Sequence, residues 1–486
     1  MRLFWLGVGT GIAMSVVAAR TVRKRNSNEN SAIRRRPHEH ELRILILGGG
    51  FAGYYALREL ERYFRRSPGV EITLINRENY MLFTSLLHEV AASDLDPTDI
   101  VNPLHKLVRP ARFFCAEVQS IDLERKTVLV TQGTDGQTRA FEYDYLVIGL
   151  GSTANFYDLP GIENNSITMT SLEDAAFLRN HMISQLEAAD FEGGAGTPAT
   201  LTFVVCGGGF SGVETVGAMT DFLRDATDFY PSLRRDMVKV MLVHAGPQLL
   251  PELGGKLGAY AAEKLRERGV EVVLNTVVKG FENGALQVGA GDTIHNISTS
   301  TVVWTAGVKP AAVVQNLAAK TAKGRLLTAP TLEVPGWPGV YAVGDCAAIP
   351  DPYHPGKFYG PTAQNALRQG GLVAKNIVAA IYGRRQMPFR YRVLGQLAAI
   401  GQRRGVANVL GFQFSGFPAW WLWRTVYLYK LPGLQKKVRV GLDWLLDAIF
   451  SKDIVQFRTS RLLSLYQGLH HQGKQPERNR TTGPAA

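Results

Sequence analysis

Two short stretches of the chain carry glycines at one spacing. RILILGGGFAGYYA (43–56) holds Gly48, Gly50 and Gly53, and LTFVVCGGGFSGVE (201–214) holds Gly207, Gly209 and Gly212. Phosphate binding is the chemistry this spacing serves. The first glycine makes a tight turn, the second lets a pyrophosphate approach the backbone, and the third lets a helix pack on a strand. The helix that follows then points free N–H groups and a positive dipole end at the phosphates. A single G-x-G-x-x-G is weak, but here both copies follow a β-branched run and precede a helix-like stretch, so two dinucleotides are implied. Gly48, Gly50, Phe51, Ala52 and Gly53 are candidate contacts of one. Gly207, Gly209, Phe210, Ser211 and Gly212 are candidate contacts of the other.

The residue ending the next strand of such a unit holds the ribose hydroxyls, and an acid there favours NAD over NADP. After the first loop that position falls at Asn76, followed by Arg77 and Glu78, and after the second at His244. Asparagine can hydrogen-bond a ribose without adding charge. With no acid and no adjacent arginine after the second strand, NADH is the expected nicotinamide and NADPH stays open.

Other chemistries find less support. The three cysteines, Cys115, Cys206 and Cys346, form no C-x-x-C pair, so neither a disulfide framework nor a metal site is implied. The formal charge is +12. No helix-turn-helix, zinc-finger or RNA-binding pattern accompanies it, so nucleic acid is not an expected partner, and solubility or an anionic membrane surface remains.

The elements around the loops narrow the class. GVYAVGDCAAIP (339–350) is an apolar strand ending in Gly344-Asp345. It resembles the flavin-contacting motif of the two-dinucleotide-binding flavoproteins, in which the aspartate holds the ribityl chain of FAD. YDYLVIGLGS (143–152) and STVVWTAGV (300–308) resemble the family's two crossover segments. The resemblance implies an α/β fold of two Rossmann-type domains. An FAD-binding domain (41–154 and 309–388) is interrupted by an NAD(P)H-binding domain (155–308). On it, the FAD contacts extend to Val118, Gly151, Gly344, Asp345, Ala363 and Gln364, and the NAD(P)H contacts to Glu214, Ala306 and Gly307.

Within that family the chain resembles the type II NADH dehydrogenases. The carrying segments are NYMLFTSLLHEVAA (79–92), PTAQNALRQGG (361–371) and GLDWLLDAIFSKDIVQF (441–457). PTAQNALRQGG matches the quinone-site signature AQxAxQxG at Ala363, Gln364, Ala366 and Gly370, but Arg368 stands where the signature has glutamine, with Gln369 next to it. The resemblance implies a quinone site at Gln364, Ala366, Leu367 and Gly370. It also implies catalytic roles for Gln364 and for Glu214, a glutamate placed near the nicotinamide. The expected activity is hydride transfer from NADH to FAD and of two electrons on to a quinone, without proton pumping. A sulfide:quinone reductase, with Cys346 beside the flavin, and a redox sensor without turnover are the rivals.

The chain ends bear on location. LFWLGVGTGIAMSVVAA (3–19) is uncharged and apolar, at the short limit for spanning a bilayer, and is followed by Arg20, Arg23, Lys24 and Arg25. Residues 1–40 read as a membrane anchor with a basic linker, a cleaved targeting peptide being the alternative. Residues 389–470 read as a membrane-associating helical region. Trp420, Trp421, Trp423, Tyr427 and Tyr429 have the character of an interfacial belt, and Val438, Leu442, Leu445 and Ile449 mark an apolar helical stripe opposite Arg439, Asp443 and Asp447. Residues 471–486 read as a disordered tail. The expected place is the cytoplasmic face of an inner membrane, in contact with lipid. A homodimer stays open.

Overall fold

The computed structural model describes residues 42–456 except 68, 134–135, 195–197, 292 and 448. The apolar N-terminal run, the basic linker and the C-terminal tail lie outside the described residues.

The two glycine loops sit on two versions of one scaffold. The first is β1 (Leu42–Leu47), helix α1 (Phe51–Phe64), β2 (Val70–Asn76), the short helix α2 (Leu87–Ala91), β3 (Arg112–Cys115) and β4 (Tyr145–Ile148). The second is β5 (Ile167–Thr168), α3 (Leu172–Phe191), β6 (Thr202–Cys206), α4 (Phe210–Thr227), β7 (Lys239–Val243), β8 (Val270–Val273) and β9 (Thr301–Trp304). The chain then returns to the first sheet with β10 (Val340–Ala342), and α5 (Ala363–Ile381) follows.

The first sheet has the order β10-β4-β1-β2-β3 and the second β5-β9-β6-β7-β8, with every pairing parallel. The first sheet thus takes strands from both sides of the second, as expected of an interrupted FAD domain. The β6 sequence TFVVC is buried at every position, which is why it reads as a continuous apolar run instead of alternating. Both loops lie at the C-terminal ends of their central strands, where open parallel sheets bind ligands.

The last part differs from the expected helical region. An antiparallel sheet of β11 (Gly395–Ala399), β12 (Gly405–Val409) and β13 (Phe412–Gly416) precedes α6 (Phe417–Lys430) and α7 (Leu434–Leu446). Its core is continuous with that of the second sheet: Ala398, Ile400, Val406, Ala419 and Trp423 share one buried cluster with Phe203, Val213 and Phe222. Short strands, two of them rich in glycine and alanine, hid this sheet in the sequence.

The aromatic run of α6 is divided. Trp423 is fully buried, whereas Phe417, Trp421 and Tyr429 are exposed. On α7 the stripe Val438, Leu442, Leu445 and Leu446 is exposed, and Ile449 beyond it as well. Of the polar stripe, Asp447 and Arg439 turn toward charged partners: Arg424 lies 3.8 Å from Asp447, and Arg439 lies 3.5 Å from Asp99. The polar side of α7 therefore meets the protein and the apolar side meets the surroundings. Among the described residues no helix is long and apolar enough to cross a membrane.

Candidate functional site

The two loops are built alike. Gly48 has φ +95° and Gly207 φ +120°, backbone that side-chain-bearing residues avoid. A Cβ on Gly53 would lie 1.8 Å from the Gly48 carbonyl oxygen, and one on Gly212 would lie 1.8 Å from that of Gly207. These third glycines let helix and strand touch. At Gly50 and Gly209 a Cβ would meet nothing within 4 Å. Each is the N-cap of its helix without a side-chain cap, and neither first turn holds an acid. Free helix N–H groups therefore face an open cradle at both sites, which fits a pyrophosphate at each. Phe51 and Ala52 open α1, with Phe51 edge-on to Phe83 at 5.5 Å. Phe210 and the exposed Ser211 open α4.

The residues after the second strands repeat as well. Asn76 Oδ1 accepts the Gly49 N–H at 2.7 Å, and His244 Nδ1 accepts the Gly208 N–H at 3.0 Å. Each strand end thus pins the middle of its own loop. Burial lowers the His244 pKa, which keeps Nδ1 free to accept. Asn76 Nδ2 donates to the carbonyls of Glu78 and Tyr80, and Arg77 is exposed and paired with Glu78. Val118 stands on the antiparallel strand Glu117–Asp122 beside this sheet.

Gly344 turns the end of β10 with φ +75° and donates its N–H to Gln369 Oε1 at 2.8 Å. Gln369 is thereby committed to the turn at Gly344 and does not stand in for the signature's missing glutamine. Asp345 Oδ2 accepts from Ser152 Oγ at 3.0 Å, next to Gly151, which has φ +69°. Burial raises the Asp345 pKa, with the Ser152 bond and Arg325 opposing. This polar turn fits the ribityl chain of a flavin. Cys346 is fully buried, bonded to the carbonyls of Ile148 and Val343, and its thiol is pushed up to about 11 by burial. Such a thiol is inert at neutral pH, which removes the ground for a sulfide-handling Cys346.

Ala306 and Gly307 follow β9. Tyr157 covers them, its hydroxyl 3.3 Å from the Ala306 carbonyl oxygen.

Glu214 lies beyond the first turn of α4, so stabilising a helix dipole is not its part. Its carboxyl is buried in the C-terminal module, where Oε1 accepts from Trp423 Nε1 at 2.8 Å and from the Ala399 N–H at 3.2 Å. Burial pushes its pKa up to about 8; the bonds from Ala399 and Trp423 oppose this and Glu89 adds to it. Glu214 therefore carries a proton at neutral pH.

Gln364 stands at the start of α5. Its Nε2 donates to the Gly395 carbonyl at 2.9 Å, and its Oε1 accepts from the Tyr391 hydroxyl at 3.0 Å. Strand β11 thus holds Gln364 at its first residue and Glu214 at its last, about 13 Å along an extended strand. Ala363 and Leu367 are half-buried on α5, and Ala366 is buried. Gly370 lies in the contact between α5 and α1, where a Cβ would meet the Ala52 carbonyl oxygen at 2.1 Å.

A second buried carboxyl escaped the sequence. Glu89 on α2 accepts from Trp444 Nε1 and is pushed up to about 7 by burial, against Arg424. Beside it His88 is buried and pushed down to about 4, with Nε2 unpartnered among the described residues. Its ring lies 5.6 Å from that of Trp423, which lies 6.2 Å from Trp444. The one available signal was the pair His88-Glu89 inside an otherwise apolar helix.

Comparison with known proteins fits this geometry. Residues 42–370 match the family described as pyridine nucleotide-disulphide oxidoreductase, and residues 393–453 match the NDH2 C-terminal domain. The type II NADH:quinone oxidoreductase of Mycobacterium tuberculosis is 31% identical over 422 residues, covering 84% of this chain and 88% of that protein. The demethylphylloquinone reductase of Synechocystis is 31% identical over 410 residues, covering 83% and 95%. Among solved structures, NDH2 from Plasmodium falciparum in complex with NADH superposes with a TM-score of 0.78 at 18% identity, covering 86% of this chain and 100% of that one. These matches, with two loops that fit a phosphate and a buried aspartate after β10, identify the chain as a member of the type II NADH:quinone oxidoreductases, within the pyridine nucleotide-disulphide oxidoreductase family.

Proposed function

We propose that the chain carries electrons from NADH through FAD to a quinone at a membrane surface, without pumping protons. The observation that supports this best is β11, which ties Gln364 of the acceptor helix and Glu214 of the nicotinamide helix to one short strand.

Bound FAD would supply the two-electron chemistry; the chain supplies position, dryness and protons. Gly48, Gly50 and Gly53 with Asp345 would hold FAD, and Gly207, Gly209 and Gly212 would hold NADH. Positioning is the main catalytic contribution. Glu214, buried and neutral, keeps water and negative charge away from the nicotinamide side and holds one proton at Oε1 or Oε2. Quinone reduction consumes one proton beyond the hydride, and Glu214, a buried acid on α4, would hold one. Gln364 would meet the quinone headgroup, with Ala366 and Leu367 along the same helix.

The exposed apolar stripe of α7, with Phe417, Trp421 and Tyr429 of α6, supports lipid contact. Lys437, next to Val438 of that stripe, suits anionic headgroups. On this reading the module seats on the leaflet from which a lipid-soluble quinone enters, at the cytoplasmic face of an inner membrane. Purified protein bound to quinone-containing vesicles is expected to oxidise NADH without acidifying or alkalising the vesicle lumen. Uptake of protons with turnover, read by an enclosed dye, would contradict the non-pumping part.

A further inference from the structure

Arg368 departs from the signature, and its surroundings say what the arginine does there. It lies one turn after Gln364 on α5 and is half-buried. Its Nη1 donates to the Gln364 carbonyl oxygen at 2.9 Å, and its guanidinium carbon stands 3.9 Å from the centre of the Tyr391 ring. Tyr391 is itself held: its N–H donates to Tyr359 Oη at 3.0 Å, and its hydroxyl donates to Gln364 Oε1. The guanidinium is therefore fixed in place against the proposed acceptor site. Lys430, at the end of α6, is near enough that Arg368 adds to the effect of burial in lowering its pKa.

Among the described residues neither cation has a carboxylate partner. By contrast, Arg268, Arg424 and Lys452 each lie beside an aspartate. Two like charges on half-buried side chains repel one another, and the Tyr391 ring offsets only part of the cost. Such an arrangement is complementary to a negative charge that is not part of the chain.

Quinone chemistry supplies one. When a quinone takes an electron pair and one proton, together the equivalent of the hydride that NADH gives up, an O–H bond forms at one carbonyl oxygen. The ring becomes aromatic, and the other oxygen is left as an anion until it takes the second proton. The electron pair comes from NADH by the activity described above. We propose that Arg368 is an acceptor-site residue that binds the anionic oxygen of the reduced quinone, and that the site consequently favours ligands with an acidic ring hydroxyl. The guanidinium suits this role because it is planar, permanently charged and still has free N–H donors. The inference rests on the reading of the first turn of α5 as the quinone site.

The test uses the full-length, FAD-loaded protein without NADH, its variants R368Q and R368K, and two ligands read by quenching of tryptophan fluorescence. One ligand is a hydroxynaphthoquinone, anionic at neutral pH; the other is a neutral methylnaphthoquinone. R368Q restores the signature residue, and an unchanged flavin spectrum and melting temperature report its fold. The expected result is that R368Q weakens the anion about tenfold and the neutral ligand less than about twofold, while R368K keeps most of the anion's affinity. Equal loss for both ligands would assign Arg368 a role of shape and overturn the proposal, as would no loss for either. If neither ligand binds the unaltered protein, the quinone-site reading itself fails, and this inference with it.

Discussion

Trp423 Nε1 donates to Glu214 Oε1 at 2.8 Å inside the protein, joining the C-terminal module to the helix of the second glycine loop. Both groups are buried, so the bond replaces water at each. Trp423→Phe is expected to cost about 2 kcal/mol or more, because it removes the donor and leaves a gap. It should also raise the Glu214 pKa further, since this bond lowers it. The alkaline limb of kcat, measured with saturating NADH and quinone, is then expected to move upward. An unmoved limb would detach Glu214 from that ionisation.

Stability should register the same proton. Glu214 has an ordinary carboxyl value of 4.5 when unfolded and about 8 when folded. Between those values the folded chain keeps a proton that the unfolded chain has released. The contribution is therefore full below 4.5 and lost as pH rises through about 8. Glu214→Gln lacks this loss, so its melting temperature relative to the unaltered protein should rise between pH 5 and pH 8. A constant difference across that range would contradict a buried neutral carboxyl.

The open positions in the two loops predict separable losses. Gly50→Ala and Gly209→Ala place a methyl group where the protein leaves space, so both variants should fold. Gly50→Ala should lose FAD on gel filtration. Gly209→Ala should keep its flavin and raise the KM for NADH at least about tenfold, the methyl group displacing a phosphate from the helix N–H groups. Gly53→Ala, by contrast, should impair folding, because its Cβ would strike the Gly48 carbonyl.

His244 is predicted to act through the loop it pins. His244→Asn reproduces the first loop's Asn76 and should preserve the KM for NADH. His244→Ala leaves the Gly208 N–H without its acceptor and should raise that KM by about tenfold, one lost buried hydrogen bond. If alanine and asparagine behave alike in NADH titrations, the pin has no functional weight.

Replacing Val438, Leu442 and Leu445 together by serine should release the protein from anionic vesicles in a flotation assay. Turnover with a water-soluble quinone should persist, because these side chains are exposed. Continued vesicle binding would move lipid contact elsewhere.

Much of the fold was legible in the residues. The repeated Gly48 and Gly207 patterns announced two strand–loop–helix units, and the Gly344-Asp345 turn announced the return to the first sheet. Continuous apolar runs such as TFVVC marked fully covered strands. The C-terminal sheet was not legible, because Gly395–Ala399 and Gly405–Val409 alternate weakly and gain their strand character from packing on α4 and α6. The aromatic run of α6 carried one period for two roles: Trp421 faces out, and Trp423 is a core side chain holding Glu214. Glu89 and Tyr391 acquire their parts only through partners hundreds or tens of residues away, Trp444 and Gln364. No local pattern encodes such pairs.

The central claim is that electrons pass from NADH to flavin to quinone on this one chain. Anaerobic stopped-flow mixing of the purified, FAD-loaded protein with NADH, followed by a short-chain quinone, tests it directly. The account predicts rapid loss of flavin absorbance on the first mixing and its full return on the second. Loss without return would place the electron acceptor elsewhere, and flavin that NADH does not bleach would contradict the account outright.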